Sequence, residues 1–197
     1  MAKEKWKLEI LHNSGSDLIR WNNLLESLES KDLYFTPTYM KLFEDVPLEV
    51  FQNFGGEALL AFYGNEKKYV LYPFFKRPLF ELDFYKPMLS DYGKVYDISS
   101  PWFFSGPLVS KFKLSNSASY EKLMSSFFEA FHEYCVEQNI VAEFIRLHPF
   151  IKNHSLLRNG SEQLEISNSV VYVDLNSSIE DIVKKFKKAN RNCISKS

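Results

Sequence analysis

Glycine is scarce in this sequence, with 7 among 197 residues. None falls into GxxxxGKS/T or GxGxxG, and neither GxSxG nor HExxH occurs. Such patterns cradle phosphates with backbone N–H groups, raise a serine on a strained elbow, or pair two histidines on a metal. Their absence argues against P-loop ATPases, standard kinases, dinucleotide dehydrogenases and α/β-hydrolases. Cysteine is equally thin. Cys135 and Cys193 stand far apart without CxxC or His/Cys spacing. That excludes a disulfide scaffold and a structural zinc site, and it suits a reducing compartment. No apolar run reaches the length of about 18 residues that crosses a bilayer. The opening residues MAKEKWKLEI lack a secretory apolar core. The chain is therefore expected to be cytoplasmic, with no transmembrane segment and no metal. Net charge is -1, so no global basic excess points to DNA.

What the chain does have is aromatic side chains. Its 18 Phe, 11 Tyr and 3 Trp predict a core built from large flat rings. Hydrophobic residues at 45% and charged residues at 25% describe a globular chain, of one domain or one domain and a piece of another.

Trp6 to Leu11 alternates apolar and charged residues, the mark of a half-buried strand. A helix follows, capped by Ser16 or Asp17, with Leu18, Trp21, Leu24, Leu25 and Leu28 at helical spacing. Thr36 and Pro37 open a second, short helix. Leu48 to Phe54 reads as a strand. Ala58 to Tyr63 and Tyr69 to Phe75 flank a turn at Gly64–Lys68 and read as a hairpin. Pro73 predicts that its strand lies at an edge or ends there. Prolines 78, 87, 101 and 107 make residues 76–110 irregular, apart from a brief strand at Lys94 to Ile98. Ser119 to Gln138 is a clear amphipathic helix. Val141 to Leu147 reads as a buried strand, Gln163 to Ile166 and Val170 to Leu175 as two more. Ser177 or Ser178 caps a last helix, Ile179 to Ile194, with Glu180 and Asp181 in its first turn. This order predicts an α/β domain of three layers.

Three features could carry chemistry. Lys184, Lys188 and Arg191 share one face of the expected last helix and could hold phosphate or carboxylate groups, although lysines at a helix end are also common as a solvated face. The loop from Asp97 to Pro107 holds Trp102, Phe103 and Phe104, which form either a groove wall or rings folded onto the core. Arg146-Leu147-His148-Pro149 ends a strand, where ligand sites in α/β sheets gather. His148 is either an acid–base group or, as more often with a lone His, hydrogen-bonded within a turn. No carboxylate has a spacing that marks it as a general base.

Five segments, in order, carry a resemblance. They are Tyr34-Phe35-Thr36-Pro37-Thr38-Tyr39, Tyr72-Pro73-Phe74-Phe75-Lys76-Arg77, Tyr96-Asp97-Ile98 with Ser100-Pro101 and Gly106-Pro107, Glu143 to Pro149, and Lys188-Ala189-Asn190-Arg191-Asn192. Together they resemble the N-terminal half of bacterial FemAB-like proteins, GNAT-fold acyltransferases related to the enzymes that build peptidoglycan interpeptide bridges. The resemblance implies a GNAT-like three-layer domain over residues 1–176, with a central mixed, largely antiparallel sheet flanked by helices. Residues 177–197 would begin a second such domain, so that the rest of it is a missing C-terminal domain or a partner subunit. It also implies acyl or aminoacyl transfer to an amine of a small-molecule or lipid-linked envelope or surface-polysaccharide precursor. The acyl-CoA or aminoacyl-tRNA donor would bind the second domain, and this chain alone would bind no cofactor. Lys188 and Arg191 would lie near the acceptor groove, with Asp97, Trp102, Arg146 and His148 as further substrate-binding positions. Two departures stand out. Phe103 and Ser105 replace glycines of the family's loop, which predicts backbone strain there. Ser195 replaces an arginine. A non-catalytic domain that recognises an anionic sugar or nucleotide-sugar is the second reading. A single-domain acetyltransferase is the third, disfavoured because the join at residues 105–119 holds Gly106 as its lone glycine.

Overall fold

A computed structural model describes residues 6–44, 56–83, 85, 87, 92–100, 104–111, 118–157, 164–166 and 168–194. The expected strand at Leu48 to Phe54 lies outside them. The chain divides into two compact units, residues 1–162 and 163–197.

In the first unit, the alternating start becomes strand β1 (Lys7–His12), with Leu8 opposite Tyr63 and Ile10 opposite Ala61. Helix α1 (Gly15–Glu26) begins earlier than its expected caps, with Ser14 at the N-cap position. Gly15 turns the chain at φ +56°, and Asp17 instead accepts a hydrogen bond from His12 N. A 3-10 turn at Leu33–Phe35 leads to α2 (Pro37–Glu44). Thr36 caps that helix as expected, its Oγ1 accepting from Tyr39 N at 3.2 Å.

Strands β2 (Glu57–Asn65) and β3 (Lys68–Pro78) form the expected hairpin in unbroken antiparallel register. Asn65 Oδ1 accepts from the N–H groups of Lys67 and Lys68, each at 3.0 Å, and closes the turn. Gly64 sits at φ +133°, where a Cβ would meet Lys68 O at 2.3 Å. Strand β4 (Tyr96–Ser99) and the two-residue β5 (Leu108–Val109) both pair with the far side of β3. After helix α3 (Ala118–Glu137), β6 (Ile140–Phe144) adds parallel to β4. The mixed six-stranded sheet runs β1-β2-β3-β4-β6, with β5 on β3.

The expectation for Pro73 is overturned. It sits in β3, at the centre of the sheet, with β2 on one side and β4 and β5 on the other. Tyr69 bonds toward the β5 side, its O accepting from Ser110 N. By the alternation of a strand, Pro73 turns its missing N–H to that side too. There β5 pairs residues 70 and 71 and β4 pairs 75 to 78, so Pro73 falls in the gap. Its carbonyl accepts a hydrogen bond from Ser105 Oγ.

Helices cover both sheet faces. Leu59, Ala61, Tyr63, Tyr72 and Phe74 pack against Tyr120, Leu123, Phe127 and Phe131 of α3. Leu60, Phe62, Leu71 and Phe75 pack against Trp21, Leu25 and Met40 of α1 and α2. The α3 side is a ring core, with Phe131 5.2 Å from Tyr72 and 5.5 Å from both Phe74 and Phe127. The strand after α3 is neither as long nor as buried as expected. It ends at Phe144, and Val141 and Phe144 are each 62% exposed. As the last strand in the sheet order it has neighbours on one side.

The second unit corrects two further expectations. No strand forms at 164–166 or 170–175, where Ile166 and Val171 are 96% and 95% exposed. Alternation and β-branching favour a strand, but a strand also needs a partner ladder. The last helix is two helices, α4 (Ile179–Lys185) and α5 (Lys188–Ile194), neither with a buried residue. Ser178 caps α4 by accepting from Asp181 N. The break falls at Phe186, whose ψ is 149°. Arg191 Nη1 donates to Lys184 O at 2.9 Å, the carbonyl that Lys188 N would take in a continuous helix. Lys184 and Arg191 therefore do not share the face of one straight helix.

Candidate functional site

Strands β4 and β6 are the parallel pair of the sheet. The segments that leave their carboxyl ends meet, which is where α/β sheets place ligands. Ser100 N donates to Phe144 O at 3.1 Å, and Ser105 N to Arg146 O at 2.8 Å. Arg146 N donates to Ser100 Oγ at 2.7 Å. Ser105 and Leu147 form a parallel bridge. Gly106, at φ +101°, allows this approach, since a Cβ there would stand 2.6 Å from Leu147 Cδ2 and 2.8 Å from Asn153 Nδ2. Ser105 is not among the residues at positive φ. The expected strain is thus absent at Ser105, whose hydroxyl is used on Pro73. Phe103 lies outside the described residues.

Asn153 ties the two segments together from a fully buried position. Its Oδ1 accepts from His148 N, and its Nδ2 donates to Ser105 O, both at 2.9 Å. His148 is 3% exposed. Its Nδ1 accepts from the N–H groups of Ile151 at 3.1 Å and Phe150 at 3.3 Å. A nitrogen that accepts twice carries no proton, so the proton is on Nε2, which faces Asp32 Oδ2 at 3.4 Å. Burial pushes the imidazole below its usual value, against the opposing pull of the Asp32 carboxylate. The ring sits in an aromatic nest, 5.2 Å from Phe104, 5.9 Å from Phe35 and 6.0 Å from Tyr34.

Tyr34 also contacts Tyr39 at 5.1 Å. The Tyr39 hydroxyl is buried without a hydrogen-bond partner among the described residues, and burial pushes it up to about 12. It is a neutral donor at any physiological pH. Asp32 also lines an open cleft of about 240 Å³, together with Leu25, Glu26, Lys31, Leu33 and Thr36. Lys31 Nζ there holds the Glu26 carboxylate at 2.9 Å. Among the described residues no group of three or more His, Cys, Asp or Glu could hold a metal ion.

The residues singled out in the sequence fall in different places. His148 and Arg146 lie together in the segment after β6. Arg146 contributes its backbone to the junction, and its guanidinium stands 5.8 Å from the Phe144 ring. His148 is the turn-bonded histidine of the two alternatives. Asp97 lies near the start of β4, gripped by Arg77 through Nε at 2.7 Å and Nη2, both side chains 13% exposed. Lys188 and Arg191 belong to the second unit, where both are exposed. Trp102 lies outside the described residues. Asp32, Tyr39 and Asn153 were not read as site residues. Tyr34 and Tyr39 lie within one of the quoted segments, whereas nothing local marks Asp32 or Asn153.

The arrangement is a rigid junction with an aromatic, weakly polar wall. Its histidine is neutral with both nitrogens engaged, and among the described residues the hydroxyls of Tyr39 and Ser99 are buried without a hydrogen-bond partner. It can present hydrogen-bond donors and ring faces to a ligand more readily than it can shuttle protons. The first unit is thus a mixed α/β domain with a six-stranded sheet flanked by helices. No family model matches the sequence, and no curated protein or solved structure matches it.

Proposed function

We propose that this chain supplies the N-terminal part of a FemAB-like, GNAT-fold acyltransferase acting on an amine of a cell-envelope or surface-polysaccharide precursor. One observation carries the reading. Segments that bear the resemblance, far apart in sequence, contact one another at one end of the sheet. Tyr34 and Phe35 pack on His148, Ser105, beside Gly106-Pro107, bonds Pro73, and Leu147 bridges Ser105. The acceptor would lie along this wall, with Arg146 as a contact for its anionic groups. The acyl-CoA or aminoacyl-tRNA donor is a substrate held outside these contacts.

The full gene product, incubated with labelled acetyl-CoA or aminoacyl-tRNA and a nucleotide-linked amino-sugar precursor, is expected to transfer label to the amine. Arg146→Ala should raise KM for the precursor. If neither donor yields an amide, the transfer reading fails.

A second reading is a non-catalytic domain that binds an anionic sugar or nucleotide-sugar. The commitment of both His148 nitrogens favours it, because the imidazole has no nitrogen left over to move a proton. Thermal stabilisation by the precursor without turnover would mark this reading.

A further inference from the structure

The hydrogen bonds of His148 have a consequence that does not depend on the transfer reading. Nδ1 accepts from two backbone N–H groups, those of Phe150 and Ile151. The same turn is closed by Lys152 N donating to His148 O at 3.1 Å. It holds Lys152 at φ +58°, a left-handed conformation that costs about 1 kcal/mol or more without glycine. The turn delivers Asn153, Leu156 and Leu157 to their buried positions. A proton on Nδ1 would replace the acceptor with a donor facing two donors. The turn could not then stay closed around the ring.

We propose that His148 is a proton-operated latch, closed when the ring is neutral, which holds residues 148–157 against the segments at 32–35 and 104–106 and releases them in acid.

The groups facing the ring decide its direction of travel. Asp32, before the 3-10 turn, is the charged group set against Nε2. Tyr34 is the titratable phenol beside the ring. Phe35, Phe104 and Phe150 supply its apolar surround, and Asn153 bonds its backbone. Asp32 favours the charged ring and burial opposes it, and burial is the larger. The released ring has an ordinary value near 6.5 and the latched ring a lower one. Above about pH 6.5 both are neutral and opening is independent of pH. Below it, the released ring alone takes the proton, and the open population grows by up to about tenfold per pH unit. The growth stops once pH passes the latched value.

Hydrogen exchange tests the latch. The amides of Phe150, Ile151 and Lys152 are followed at pH 7 and pH 5, after correction for intrinsic exchange, with Leu60 and Tyr72 of the hairpin as reference amides. Protection in the turn is expected to fall about tenfold while the reference amides hold. His148→Asn keeps an acceptor at the Nδ1 position and does not titrate, so its turn should remain protected at both pH values. Asp32→Asn removes the charge that supports the protonated ring in the latched state, so the loss of protection should still begin near pH 6.5 but continue to lower pH and go deeper. A flat wild-type profile overturns the latch. So does the same pH dependence in His148→Asn, or a parallel loss at the reference amides, which would be global unfolding.

Discussion

Asn153→Ala removes the cross-tie of the junction from a fully buried position. The wild-type amide satisfies His148 N and Ser105 O at 2.9 Å each. His148 is 3% exposed, and Ser105 and Asn153 are fully buried. Water therefore cannot simply replace the lost partner. An unsatisfied buried backbone group costs about 1–3 kcal/mol, so two of them amount to about 2–6 kcal/mol. A small domain has about 5–15 kcal/mol in total, so the loss should dominate an unfolding curve. Urea titration followed by tryptophan fluorescence, with the midpoint and slope fitted together, reads it directly. Asn153→Asp sharpens the test. It keeps an acceptor for His148 N but turns an oxygen toward Ser105 O. At neutral pH it should be at least as destabilising as the alanine, despite its nearly identical shape. A loss under about 1 kcal/mol for Asn153→Ala, or an aspartate close to wild type, would refute the two-bond account of the junction.

The thiols should react at very different rates. Burial, aided by Glu143, pushes the Cys135 thiol up to about 12, whereas Cys193 is exposed. With a disulfide reagent at pH 8, Cys193 should react first and Cys135 on the order of a hundredfold or more slower, because the thiolate is the nucleophile. Two equal rates would contradict the placement of Cys135. Tyr72→Phe removes the hydroxyl that donates to the Glu143 carboxylate. Burial already raises that carboxyl and the hydroxyl lowers it, so the variant's Glu143 should titrate higher still, as followed by carboxyl NMR. A group raised in the folded state loses stability as pH climbs from its unfolded to its folded value. The variant should therefore lose more stability than wild type as pH rises above about 4.5. An unchanged or lowered Glu143 midpoint would sink this prediction.

The parts of the fold that were legible are those decided within a few residues. Gly64 and Asn65 lie between two buried apolar runs and specify the hairpin through their own backbone needs. Thr36 and Pro37 carry the start of α2 in their own side chains. The helical period from Tyr120 to Tyr134 records a face that must be covered, and α3 covers the sheet with it. The parts that were not legible depend on distant partners. Pro73 is barred from central strands by its missing N–H, yet here a gap between β4 and β5 and a hydroxyl 32 residues away make it harmless. Residues 170–175 have strand chemistry and no ladder. The helix expected to run through Phe186 gives up a backbone bond to the Arg191 guanidinium.

The candidate site divides in the same way. His148 was legible by its position after a strand, and its turn-bonded alternative was the one adopted. Asp32 and Asn153 had no signal, because their roles exist only across the junction: Asn153 reaches Ser105 across 48 residues of sequence. Ser105, where the resemblance leads one to expect glycine, shows why local rules mislead there. Taken alone, a serine in place of glycine predicts strain. In the folded chain the left-handed backbone belongs to Gly106, and Ser105 is free to donate to Pro73. The serine and the proline are therefore better regarded as one feature than as two anomalies. The proline leaves a carbonyl beside a gap in the sheet, and the serine supplies the hydrogen that fills it. A chain with so few glycines holds its junction by side-chain hydrogen bonds from Ser100, Ser105, His148 and Asn153, where a glycine-rich loop would hold it by backbone freedom. That makes the junction stiff at neutral pH. It also leaves its integrity to the protonation of one histidine.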